Sequence, residues 1–234
     1  MVMNRKLFCF DLDNTLAPNN GAISKEIIDA LRDIQGHGHQ VMVISGKPTA
    51  YLAGLIRQTG LGNVYISGGN GESFMMSHIY PPLNFLVKHS TEDEIATLKN
   101  VKKRILEMFK GKVWLQPNEF QLTVFHYGDK TVSIALERLI KEIVSDKFEV
   151  HNHIDCIDVL PNGISKGEMV KVAADFLGVM PEQIVAIGDG ENDISMFEVA
   201  GMSIGINIGD ANSVTKRVSD INEAIKYIQG TLYE

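Results

Sequence analysis

Short apolar runs alternate with helical stripes along the first third of the chain. The run Leu7–Phe10 stops at Asp11, and a polar, turn-rich stretch follows through residue 22. Behind Ser24, a residue type that caps helices, Ile27, Ile28, Leu31 and Ile34 recur at helical spacing until Gly36 and Gly38 break the pattern. Residues 40–45 (QVMVIS) read as a second strand. Pro48 then opens a second helix through Leu52, Leu55 and Ile56, and residues 63–67 (NVYIS) form a third strand that runs into the glycine-rich turn SGGNGE. Strands buried on both faces read as continuous apolar runs, as these do, so the pattern predicts a parallel sheet with helices on both sides.

The rhythm changes after Pro82. A helical stripe over 92–109 precedes two strand-like runs, at 112–117 and 120–127. A second helix (132–144) and two more strands (147–152 and 154–161) follow. This α-β-β-α-β-β order with hairpin spacing predicts a small antiparallel sheet with helices on one face. We therefore expect an inserted α+β domain at 84–158. From Gly163 the alternation resumes: a helix from Lys166 to Leu177, a strand ending at Asp189, then helix, strand and C-terminal helix. Residues 1–83 and 159–234 together would form one α/β domain with a doubly wound parallel sheet.

Composition narrows the class. With 44% hydrophobic and 22% charged residues over 234 positions, the chain can bury a core without a structural metal or disulfide. Cys9 and Cys156 lie in apolar stretches with no CxxC partner, which predicts two buried free thiols and a reducing compartment. The N-terminus offers no signal-peptide core, and no apolar stretch approaches the ~20 residues of a membrane span. A cytoplasmic protein is expected, with no membrane partner. A net charge of −7 argues against nucleic-acid binding, which needs a basic face. It leaves a small anionic substrate open, because a site's local field can oppose the global charge.

The informative residues collect where apolar strands stop. In open α/β sheets ligands bind beyond the carboxyl ends of the strands. Those ends carry Asp11 and Asp13, Ser45, and Asp189 with Asp193. Several carboxylates on one rim repel one another unless a cation lies among them, and an all-oxygen donor set suits a hard ion such as Mg²⁺. Ser165 and Glu168 have capping-box spacing, which puts Lys166 in the first turn of a helix beside backbone N–H groups able to cradle phosphate. Other motif readings fail. An EF-hand loop needs Gly where Leu16 and Ile194 stand, a GxxxxGK[ST] loop is absent, and the start of a dinucleotide fingerprint at Gly188 meets Asp193 at its sixth position.

FDLDNTL at 10–16, VISGK at 43–47, SKG at 165–167 and GDGENDISMF at 188–197 resemble, in order and strand-end placement, the four motifs of the haloacid dehalogenase superfamily. The insert between the second and third motifs is similar to that superfamily's type IIB cap, and the whole to its Cof-type and archaeal phosphoglycolate phosphatase groups. The resemblance implies a Mg²⁺-dependent phosphatase acting on a small phosphorylated metabolite, phosphoglycolate or a sugar phosphate, as a monomer or homodimer. Asp11 would be the nucleophile that becomes an aspartyl-phosphate, and Asp13 the general acid and base. Asp11, Asp13, Asp189 and Asp193 would hold the metal. Ser45, Gly46, Lys166 and Asn192 would hold the phosphoryl oxygens. Asn14 departs from a commoner Gly, Lys47 from a commoner Arg, and Gly209-Asp210-Ala211 from a usual Asn-Ala. A phosphomutase is the rival within the superfamily. A receiver-like phospho-switch is the rival from another class, although the insert and a general base at Asp13 fit it poorly. His151-Asn152-His153 lacks a third metal ligand, and Trp114 reads as core of the insert.

Overall fold

The computed structural model describes residues 5–82, 84–87, 91–118, 120–209 and 212–231. The chain divides into two compact units, Met1–Val87 with Ser165–Glu234, and Lys88–Ile164.

In the first unit β1 (Leu7–Phe10) lies mid-sheet, flanked by β2 (Gln40–Ile44) and, from far along the chain, β10 (Ile184–Gly188). The sheet continues on one side through β3 (Val64–Gly68), β4 (Ser73–Met75) and β5 (Phe85–Val87). On the other side lie β11 (Met202–Ile206) and β12 (Lys216–Val218). The six strands from β12 to β3 are parallel; β4 and β5 add antiparallel. The sheet is therefore mixed, parallel at its centre, with a hairpin edge that the sequence pattern does not foretell.

Period-two alternation splits β1 between two cores. Phe8 and Phe10 pack into the cluster that holds Leu31 of α1 (Lys25–Gly36), Leu52 of α2 (Thr49–Thr59) and Ile228 of α7 (Ile221–Thr231). Leu7 and Cys9 pack on the opposite face with Val170 and Ala173 of α5 (Lys166–Leu177) and Phe197 of α6 (Ile194–Val199). Every side chain of β1 is 0% exposed, which is why its sequence is apolar without alternation. Successive connections leave β1 in opposite directions, toward β2–β3 and toward β10–β12. The carboxyl ends of β1 and β10 thus form a topological switch point, where such sheets bind ligands.

The second unit is a four-stranded antiparallel sheet, β6 (Trp114–Leu115), β7 (Leu122–Phe125), β9 (Cys156–Pro161) and β8 (Phe148–Asn152) in spatial order. Helices α3 (Glu92–Met108) and α4 (Lys130–Ile143) complete the expected α-β-β-α-β-β order. Leu98, Val101, Leu136 and Ile140 of the helices share one core with Val124, Ile157 and Val159 of the sheet.

The seams at 83/84 and 158/159 need correction. Residues 85–87 pair with β4 in the first unit's sheet, and β9 runs unbroken across 158/159 between β7 and β8. A three-residue edge strand carries no readable period, and an apolar run does not reveal which sheet it joins. Trp114 is 48% exposed, its ring 5.5 Å from that of Phe125, and so is no core residue. His151 faces Glu149 and His153 faces Asp158 as ordinary side-chain pairs. Cys9 and Cys156 are both buried and form no disulfide. Of the 209–211 loop, Asp210 and Ala211 lie outside the described residues. Among the described residues no helix is long and apolar enough to cross a membrane.

Candidate active site

The candidate residues of the first unit gather at the switch point. Asp11 follows β1 directly; its N–H bonds to the Ile187 carbonyl at 2.9 Å, so parallel pairing holds the backbone of Asp11 up to the rim. The chain then turns through Asn14, at φ 58°, a left-handed conformation that Asn adopts more readily than most residues. This returns Thr15 to the site, where its hydroxyl donates to Asp189 Oδ1 at 3.0 Å.

Lys166 is the hub. Its side chain is 0% exposed, and Nζ lies 2.6 Å from both Asp11 Oδ1 and Asp193 Oδ1. The other carboxylate oxygen of Asp193 accepts the N–H groups of Asp189 and Gly190, each at 2.9 Å. Asp193, 0% exposed, thus pins the turn after β10 and the ammonium together. Two glycines make room. A Cβ on Gly188 would stand 2.3 Å from Asp193 Oδ2, and one on Gly167 would stand 2.1 Å from the Ser195 carbonyl oxygen.

The expectation of free N–H groups around Lys166 is corrected. Gly167 N–H donates to Ser195 Oγ at 3.1 Å and Glu168 N–H to Ser165 Oγ at 3.2 Å. The start of α5 is capped by protein, and the lysine side chain itself is what it contributes to the site.

Ser45 follows β2 and is buried; its Oγ accepts the Lys47 N–H at 3.2 Å. Its carbonyl accepts the N–H of Asn70, a residue that the motif reading missed. Asn70 is buried with φ 51°, and its Oδ1 accepts from Asn192 Nδ2 at 3.2 Å. It ties the turn after β2 to the turn after β10. A Cβ on Gly46 would lie 3.2 Å from that same oxygen, so glycine there gives Asn70 its place. The only trace of this in the sequence was the Gly-Gly-Asn-Gly run. Asp13 is partly exposed, its Oδ2 3.4 Å from Lys47 Nζ.

The electrostatics follow from this crowding. Burial pushes Asp11 up to about 7; Lys166 pulls it back, while Asp193 and Asp189 push the same way as burial. Asp189 is raised too, by burial first and then by Asp193. Burial works to lower Lys166, but Asp11 and Asp193 outweigh it and hold the ammonium above its ordinary range. Oxygens of Asp11, Asp189 and Asp193 come within 4.8 Å of one another. An all-carboxylate donor set in which Asp11 and Asp189 resist ionising fits a hard divalent cation, which would relieve the repulsion.

A test follows for the metal-free protein. Asp11 in the fold titrates above its ordinary 3.8, so its contribution to stability is complete below 3.8 and is lost as pH rises through about 7. The melting temperature in chelator should fall between about pH 4 and pH 7, and Asp11→Asn should flatten that slope. A slope that Asp11→Asn leaves unchanged would contradict this account of the site.

Comparison with known proteins agrees with the fold. The family model of haloacid dehalogenase-like hydrolases matches residues 8–80 and 79–223. A phosphoglycolate phosphatase of Methanospirillum hungatei is 25% identical over 233 residues, covering 94% of this chain and 90% of that protein. A chloroplastic endoribonuclease YBEY of Arabidopsis thaliana is 27% identical over 256 residues, covering 92% of this chain; the chain spans 43% of that longer protein. The crystal structure of a haloacid dehalogenase-like hydrolase from Bacteroides thetaiotaomicron shares the fold at TM-score 0.75 and 19% identity, covering 96% of this chain and 99% of the other. With its motif residues at the switch point and the family match running across nearly its whole length, the chain belongs to the haloacid dehalogenase-like hydrolases.

Proposed function

We propose that this protein is a phosphatase that hydrolyses a small phosphomonoester through an aspartyl-phosphate on Asp11. The observation that carries the reading is the Asp11–Lys166–Asp193 hub at the switch point, with Asp189 beside it. An Asp11 oxygen would bond to phosphorus as the ester P–O bond breaks, and Asp13 would deliver a proton to the leaving oxygen. Asp13 would then take a proton from water as that water attacks phosphorus and releases Asp11. The partial exposure of Asp13 suits a group that exchanges protons with substrate and water. Lys166, Ser45, Gly46 and Asn192 would hold the phosphoryl oxygens.

Mg²⁺ held by Asp11, Asp189 and the Asp13 carbonyl, with Asp193 bracing them, would supply positive charge against the phosphoryl oxygens. The phosphoglycolate phosphatase among the relatives supports phosphoglycolate as substrate, and a sugar phosphate is the neighbouring reading. The two buried cysteines without a disulfide fit a reducing compartment, and we place the protein in the cytoplasm.

The test is hydrolysis of an aryl phosphate. Activity should vanish in excess chelator and return with Mg²⁺ but not with Ca²⁺, which prefers more ligands at longer distances than an in-line transfer to Asp11 tolerates. Full activity in excess chelator would overturn the metal reading.

A further inference from the structure

Two lysines face the carboxylates of this site, and they differ in what they leave available. Lys166 is wholly buried, with two of its three donors on Asp11 and Asp193. Lys47 keeps 22% of its side chain exposed, with Nζ 3.4 Å from Asp13 Oδ2, on a side chain itself 28% exposed. That separation is an ion pair longer than the usual hydrogen bond, so the ammonium retains donors for another group. Its backbone is fixed. The Lys47 N–H donates to Ser45 Oγ at 3.2 Å, and its carbonyl accepts the Gly69 N–H at 3.0 Å.

This inference rests on the phosphatase reading. An acid that protonates the leaving oxygen must come within about 2.6–3.2 Å of it. An ammonium beside that same carboxylate therefore adjoins the first carbons of the leaving group rather than the transferred phosphoryl. The rim already gathers Asp11, Asp13, Asp189 and Asp193, so a further acid on the substrate would be repelled unless a cation met it. We infer that Lys47 is a specificity-determining residue that selects phosphomonoesters with a carboxylate on the carbon bearing the ester oxygen. It would pair with that carboxylate while Asp13 turns to the leaving oxygen.

The experiment compares phosphoglycolate with ethylene glycol monophosphate, which replaces the carboxylate by a neutral hydroxymethyl group. The parent should favour phosphoglycolate by about tenfold or more in kcat/KM, the scale of one charge-assisted contact. Lys47→Met should remove about tenfold of that preference, chiefly through KM for phosphoglycolate, while Lys47→Arg keeps most of it. Equal losses on both esters would mean that Lys47 only orients Asp13, and the inference would be overturned, as it would by a parent without preference. The same ratio read as Kd in an Asp11→Asn background needs no turnover. A Kd preference that depends on Lys47 supports the inference even if aryl phosphate is not hydrolysed, a result that would sink the phosphatase reading alone. A Kd ratio indifferent to Lys47→Met overturns the inference while leaving that reading standing.

Discussion

Asp11→Asn should lower kcat on every accepted phosphomonoester by about 10³-fold or more, the scale on which removing a hydrolase's nucleophile acts. Asparagine keeps the size of the side chain and can still meet Lys166, so the fold should survive. The carboxylate it replaces is held near its limit of ionisation by burial and by Asp193 and Asp189. Removing one member of a mutually repelling set should leave the melting temperature in chelator at or above the parent's at neutral pH. Kinetics and calorimetry on one preparation separate the two effects. A variant retaining more than a small fraction of parental kcat would show that another group attacks phosphorus.

Lys166→Met should damage both stability and activity. Methionine fills a similar volume but brings no charge, leaving Asp11 and Asp193, 7% and 0% exposed, without the ammonium that now lies 2.6 Å from each. Removing one partner from a buried ion pair costs about 3–5 kcal/mol, and here two carboxylates lose the same partner. Denaturant unfolding in chelator should show a loss of that order, which Mg²⁺ should partly restore by standing in for the missing charge. Activity should fall by about 10²–10³-fold, as when one preorganised electrostatic contact is removed from a transition state. Parental stability in chelator would contradict the hub role of Lys166.

The placement of Asp11, Ser45 and Asp189 was legible because fully buried parallel strands advertise themselves as apolar runs, and the first polar residue marks the rim. The helix start at Ser165 was legible from its cap. What the cap could not reveal was where Lys166 points. Its partners lie 155 and 27 residues away, and only the order of strands brings them together. Asn70 was hidden for a different reason. It makes its contacts through a left-handed turn between two strands, where neither helical nor strand periodicity operates. The strands β4, β5 and β12, each three residues long, were illegible because so short a run shows no period, and pairing alone defines them. The seam at 83/84 fell early for that reason, and the one at 158/159 because an apolar run such as β9 does not reveal which sheet it joins.

In the proposed reaction Asp11 carries the phosphoryl group between two chemical steps. Asp13→Asn should slow both steps, by about 10²–10⁴-fold overall, and water attack on the phosphoenzyme needs the general base most. That variant, mixed with a phosphomonoester and Mg²⁺, quenched in acid and digested, should yield the peptide containing Asp11 heavier by one phosphoryl group, with fragmentation placing the addition on Asp11. Inorganic phosphate released with no such peptide at any quench time, or a phosphoryl group found on another residue, would contradict the account.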